Sequence, residues 1–130
     1  MRLRVTRHTN RLDELVTFYR DGIRLPELGR FTDHDGYDGV FLDVPGAGSH
    51  LELTTGGNHA APEPHPETLL VLYLDTQEQL DEIAARIAES ETTPANPYWR
   101  RNARAFADPD GYQVLLTIRT DRATGPARPS

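Results

Sequence analysis

Three side chains near the start of the chain and near its middle carry chemistry at a spacing that suits strands. His50 and Glu52 flank Leu51, and Leu53 follows. Alternation of period two puts His50 and Glu52 on one face and both leucines on the other. If the leucines face a helix, Glu52 looks into a ligand site, as a general base or a hydrogen-bond acceptor. Its plainer role is an ion pair with Arg4 or another arginine. Residues 2–8 alternate in the same way, with Leu3 and Val5 on one face and Arg2, Arg4, Thr6 and His8 on the wet one. His8 and His50 could move protons there, or be ordinary polar histidines at strand ends. A site with two histidines and one carboxylate, His8, His50 and Glu52, is the conceivable metal-binding set.

Two loops add aromatic candidates. Asn96-Pro97-Tyr98-Trp99-Arg100-Arg101 sets the one Trp beside a Tyr and two arginines. Read as a polar loop, it offers Tyr98 and Trp99 as an aromatic pocket wall and an arginine for an anionic ligand; the plainer readings are a packed loop or a subunit contact. His34-Asp35-Gly36-Tyr37 reads first as a hairpin turn, since Asp-Gly supplies positive φ. It also reads as a lid whose Tyr37 stacks on a ligand. Near the C-terminus, Gln113 and Leu115 share a face, and Leu115 suits an apolar ligand surface better than a hydrated ion.

The elements that must position these residues repeat. Asn10 resembles a helix cap, and Leu12, Leu15, Val16 and Tyr19 follow with helical spacing up to Asp21-Gly22. Strand-like runs lie near 27–32, 39–44 and 49–54. Residues 56–66, with three prolines and two glycines, read as a linker. Then come a dense apolar run at 68–74, a helix capped by Asp75 or Thr76 and striped by Leu80, Ile83, Ala84 and Ile87, and short strands near 92–95, 102–107 and 112–119. The expected class is α+β: two βαβββ modules, 1–55 and 67–119, whose curved mixed sheets pair around a concave cleft. The polar tail 120–130 is expected to be flexible.

Composition narrows the classes. A chain of 130 residues with no cysteine has no disulfides, thiolate metal sites or cysteine nucleophile. Twenty acidic against 14 basic residues, a net charge of −6, argue against a nucleic-acid partner. No run reaches the ~20 apolar residues of a membrane span, and the first residues lack the apolar core of a signal peptide. A cytoplasmic location is expected, with no membrane partner. No glycine-rich phosphate loop or serine nucleophile elbow is present.

Leu12-Asp-Glu-Leu-Val-Thr-Phe18-Tyr19-Arg20-Asp21, His50-Leu51-Glu52-Leu53 and Phe106-Ala-Asp108-Pro109-Asp110-Gly111-Tyr112 together resemble the vicinal oxygen chelate superfamily, the glyoxalase/bleomycin-resistance fold, over about residues 3–118. The resemblance implies homodimers, and in the metal enzymes four ligands that hold a divalent ion. Here those positions fall on Arg4, Glu52, Thr68 and Leu115, and only Glu52 is a ligand type. Asp108 and Asp110 read as turn residues. The expectation is therefore a small-molecule-binding protein without a cofactor, for a metabolite or an antibiotic. Its contacts would be Arg4, His8, Tyr37, His50, Glu52, Tyr98, Trp99, Gln113 and Leu115. The alternative is a lyase, isomerase or dioxygenase that uses a divalent metal at His8/His50/Glu52, or Glu52 as a metal-free base. A third possibility is a structural partner whose cleft is filled by its own side chains.

Overall fold

A computed structural model describes residues 1–119; the tail expected to be flexible lies outside them. The chain forms two compact units, Met1–Glu63 and a second that begins at Pro64. The boundary falls inside the proline-rich segment, where missing N–H donors and fixed φ prevent strands from continuing.

The first unit contains β1 (Leu3–His8), α1 (Leu12–Val16), β2 (Glu27–His34), β3 (Tyr37–Val44) and β4 (Ser49–Gly56). Its sheet has the order β1-β4-β3-β2, with β1 parallel to β4 and the other pairs antiparallel. The second unit repeats this plan with β5 (Leu69–Leu74), α2 (Gln77–Arg86), β6 (Glu91–Thr92), β7 (Arg104–Ala107) and β8 (Gln113–Ile118), ordered β5-β8-β7-β6. The expected duplication of α+β modules is thus observed. Parallel pairing of the first and last strands requires a crossover, which the helix supplies.

Burial shows why each helix sits where it does. Leu15, Val16, Phe18 and Tyr19 are buried, as are Leu51 and Leu53 of β4 and Val40 and Leu42 of β3. α1 lies against β4. In the second unit Leu80, Ile83, Ala84 and Ile87 point inward, and α2 packs on β5 and β8. Thr76 caps α2 by accepting the Gln79 N–H at 3.1 Å. Burying each such aliphatic side chain contributes about 1.5–3 kcal/mol.

Four local expectations change. Asn10 does not cap α1; Thr9 is fully buried and its hydroxyl accepts the Arg11 N–H at 2.9 Å. The helix widens into a π-helical turn over Thr17–Gly22, where the Ile23 N–H reaches the Phe18 carbonyl. Arg24, with φ 75°, takes the left-handed conformation after it. The apolar face of β1 is not buried: Leu3 and Val5 are 62% and 42% exposed. β1 is an edge strand, and α1 packs on β4 beside it. Finally, Pro97–Asn102 is a helix, α3, and not a loop. Asn96 caps it, accepting the Tyr98 N–H at 2.9 Å, and Pro97 occupies its first turn, where no N–H is needed.

The Asp35-Gly36 turn joins β2 to β3 with φ of 52° and 86°, the positive values a type I′ hairpin requires. Asp108 is likewise structural: its carboxylate accepts the N–H groups of Asp110 and Tyr112 and sets the entry to β8. Among the described residues no helix is long and apolar enough to cross a membrane.

Two outcomes test this construction. Gly56 has φ 124°, and a Cβ there would run into the backbone of Gly36 and Tyr37. Gly56→Ala should therefore cost about 1–3 kcal/mol, read as a lower urea midpoint. Glu27 is gripped by Arg30 at 2.8 Å and Arg20 at 3.0 Å, which lowers its carboxyl pKa to about 2. A lowered folded pKa stabilises above the unfolded value and is lost as pH falls through the folded one. Glu27→Gln should cost about 1 kcal/mol near pH 7 in low salt. That difference should shrink between the ordinary carboxylate range and pH 2, measured by thermal unfolding across pH.

Candidate functional site

The register of the first sheet gathers the polar side chains. Parallel pairing sets Arg4 beside His50, Thr6 beside Glu52 and His8 beside Thr54. On the other side of β4, Asp43 pairs with His50, Phe41 with Glu52 and Gly39 with Thr54. Because neighbours across a sheet point to the same face, these residues share one surface. The buried leucines of β4 occupy the opposite one.

Glu52 is the centre of this surface. Its side chain is only 15% exposed, and its Oε1 accepts the Thr6 hydroxyl at 3.1 Å. A guanidinium nitrogen of Arg4 stands 3.8 Å from the same oxygen. The Arg4 guanidinium also lies 4.6 Å above the Phe41 ring, a cation–π contact. The Phe41 ring lies 5.6 Å from that of Phe31. Phe31 can lie flat here because its partner Gly39 has no side chain; a Cβ at Gly39 would strike the ring. Arg4 thus stacks on Phe41, and Phe31 stands beside it with its ring tilted by 46°, next to an acidic acceptor.

His8 stands at one end of the surface and His50 at the other. Four residues of strand separate the level of His50 from that of His8, about 13 Å at strand rise. His8 instead meets His59, whose ring packs edge-on at 5.3 Å. The Nε2 of His59 is 3.1 Å from the Tyr37 hydroxyl. No group of three or more His, Asp or Glu among the described residues is arranged to hold a metal ion. The positions where related metal enzymes carry ligands do not fit an ion either. Arg4 brings a cation to the one carboxylate, Thr68 is a weak donor, and Leu115 has no donor atom.

The second unit uses the matching face differently. Trp99 is 4% exposed and Leu115 fully buried; they form an apolar cluster with Ala105, against which Leu69, Val71, Tyr98 and Ala103 pack. Trp99 is therefore spent on packing, and α3 fills this face with its own side chains. Tyr98 lies edge-on to Trp99 at 5.0 Å. Gln113 pairs with Leu69 and Ala107, and its Oε1 is buried without a hydrogen-bond partner. A cavity of about 360 Å³ opens on the α2 side, between Gln77, Leu80, Arg101 and Leu116. Of the candidate ligand contacts read from the sequence, Arg101, one of the two arginines offered for an anionic ligand, lines it.

The sequence-predicted residues thus divide. Arg4, His8, His50 and Glu52 share a face, and Tyr37 joins His8 through His59. Tyr98, Trp99, Gln113 and Leu115 belong to the second unit. Thr6, Phe31, Phe41 and His59 were not singled out. Phe41 had a signal, since it alternates with the buried Val40 and Leu42; His59, inside the linker, had none.

Comparison with known proteins bears on the repeated fold. Residues 3–54 match the YycE-like N-terminal domain and residues 67–117 the YycE-like C-terminal domain. The uncharacterized protein YycE of Bacillus subtilis (strain 168) is 38% identical over 118 residues, covering 88% of this chain and 85% of YycE. A crystal structure of a YycE protein from that organism superposes with a TM-score of 0.85 at 35% identity, covering 94% of this chain and 92% of that one. More distant structures share the fold alone. Glyoxalase I of Leishmania major gives 0.68 at 19% identity, covering 91% of this chain and 86% of that one. TnmS3, an antibiotic binding protein from Streptomyces sp. CB03234, gives 0.65 at 20%, covering 91% and 94%. With both repeats matched in order, the chain belongs to the YycE-like family, within the vicinal oxygen chelate superfamily of glyoxalase and bleomycin-resistance proteins.

Proposed function

We propose that this protein binds a small molecule on the polar face of β1, β4 and β3, with Glu52 as the central polar contact and without a metal ion. The observation that carries the reading is the state of the Glu52 carboxylate. It is held by Thr6 and faced by Arg4, an arrangement that orients an acceptor for a ligand and opposes capture of a cation. Arg4, Phe41 and Phe31 supply apolar area beside it. Two relatives are consistent with this class. TnmS3 is named as an antibiotic binding protein, and the YycE crystal structure as a candidate glyoxalase/fosfomycin resistance protein.

A second reading keeps the same residues and adds turnover. A carboxylate fixed by a hydroxyl and shielded from water is also suited to take a proton from a bound substrate. Fold does not choose between them, because this architecture carries both binding proteins and enzymes.

Elemental analysis of untagged protein purified without chelator tests the metal-free reading. Metal well below one ion per chain is expected. Near-stoichiometric metal that disappears in Glu52→Ala overturns it. Bleomycin and fosfomycin serve as binding probes in calorimetry. A probe that binds should lose about tenfold or more in affinity in Glu52→Gln, the loss of a charge-assisted hydrogen bond. Conversion of a probe that is lost with Glu52→Gln would establish the enzyme reading instead.

A further inference from the structure

His8 Nε2 is buried and has no hydrogen-bond partner, although the residue as a whole is only partly buried. A buried polar atom left unpaired costs about 1–3 kcal/mol, so its persistence calls for a role. The group that packs against it is exposed: His59 belongs to the segment after β4, outside any strand, and its ring meets that of His8 edge-on. His59 is tied in turn by the Tyr37 hydroxyl at 3.1 Å. His8 is thus a polar end-point on the ligand face, covered by a side chain that one hydrogen bond retains.

The spacing on that face indicates what would complete it. His8 lies one same-face step beyond Thr6, the partner of Glu52, which is about 7 Å along the strand. Across the sheet, Phe41 lies at the Glu52 level and Phe31 at the His8 level, their rings 5.6 Å apart, while Arg4 stands on the far side of Thr6. An aromatic ring can pack edge or face against these two phenyl rings, and a hydroxyl on it would meet an imidazole nitrogen that can accept it.

We propose that His8 Nε2 is the hydrogen-bond acceptor for a phenolic or enolic hydroxyl of a planar ligand, and that His59, held by Tyr37, is the cover the ligand must displace. This rests on the proposed small-molecule function and adds the ligand class and the gate. Tyr37 then has a sign opposite to that of a contact residue. Losing its hydroxyl frees His59 and lowers the cost of binding.

The probes are 2-naphthol and its methyl ether, which differ in one hydroxyl hydrogen. Binding is followed by calorimetry, and by the imidazole nitrogen resonances of labelled protein, assigned with His8→Phe. The wild-type chain should bind 2-naphthol at least tenfold more tightly than the ether. The His8 Nε2 resonance should move only with the naphthol. His8→Phe, which keeps a ring against His59, should bind both probes alike. Tyr37→Phe should tighten naphthol binding severalfold. Equal binding of both probes to wild type, or an unmoved His8 resonance on naphthol binding, overturns the His8 assignment. Weaker binding in Tyr37→Phe overturns the gate. If neither probe binds while bleomycin or fosfomycin does, the phenolic class is wrong and small-molecule binding stands. Should none of the four bind, both fail together.

Discussion

Parallel pairing of β1 with β4 is the constraint on which the polar face depends. A strand offers each neighbour only every second side chain, so a shift of one residue would send Glu52 into the core and Leu51 or Leu53 to the surface. The buried leucines hold the register. Leu51 and Leu53 are 3% and 0% exposed, and pulling either out would remove burial worth about 1.5–3 kcal/mol. Thr6 and Arg4 are thereby delivered to Glu52 without any specific bond having to choose them. The polar contacts are a consequence of the hydrophobic ones.

The same logic explains what could be read from the amino-acid order. The βαβββ repeat was legible because helical and strand periods alternate in the same order twice. The shared face of Arg4, His50 and Glu52 followed from parity alone. What escaped is what parity does not encode. The burial of β1 depends on what packs against the strand, and at the sheet edge Leu3 and Val5 stay exposed. The contact of His8 with His59 joins residues 51 positions apart through a segment without periodicity. The Asn96-Pro97 pair carried a helix-start signal, but its six-residue helix is too short for a clear hydrophobic stripe.

Trp99 shows how a local misreading changes the site. As part of a polar loop it would have lined a pocket. As the buried centre of α3 it packs on Leu115 and Ala105. Of the two readings of this segment, a pocket wall or packing, the burial of Trp99 agrees with packing. The phenylalanines Phe31 and Phe41 of the first unit are only partly buried, and Phe41 pairs with Glu52.

The two repeats consequently stand under different rules, although they share one topology. In the second, the face opposite α2 has become interior, and a change at Leu115, Ala105 or Trp99 is paid in folding. In the first, the corresponding surface is bounded by hydrogen bonds and ring contacts, and a change at Thr6, Phe31 or Phe41 touches no fully buried side chain. Substitutions on this face therefore leave the buried side of the first sheet, with Leu51 and Leu53, in place.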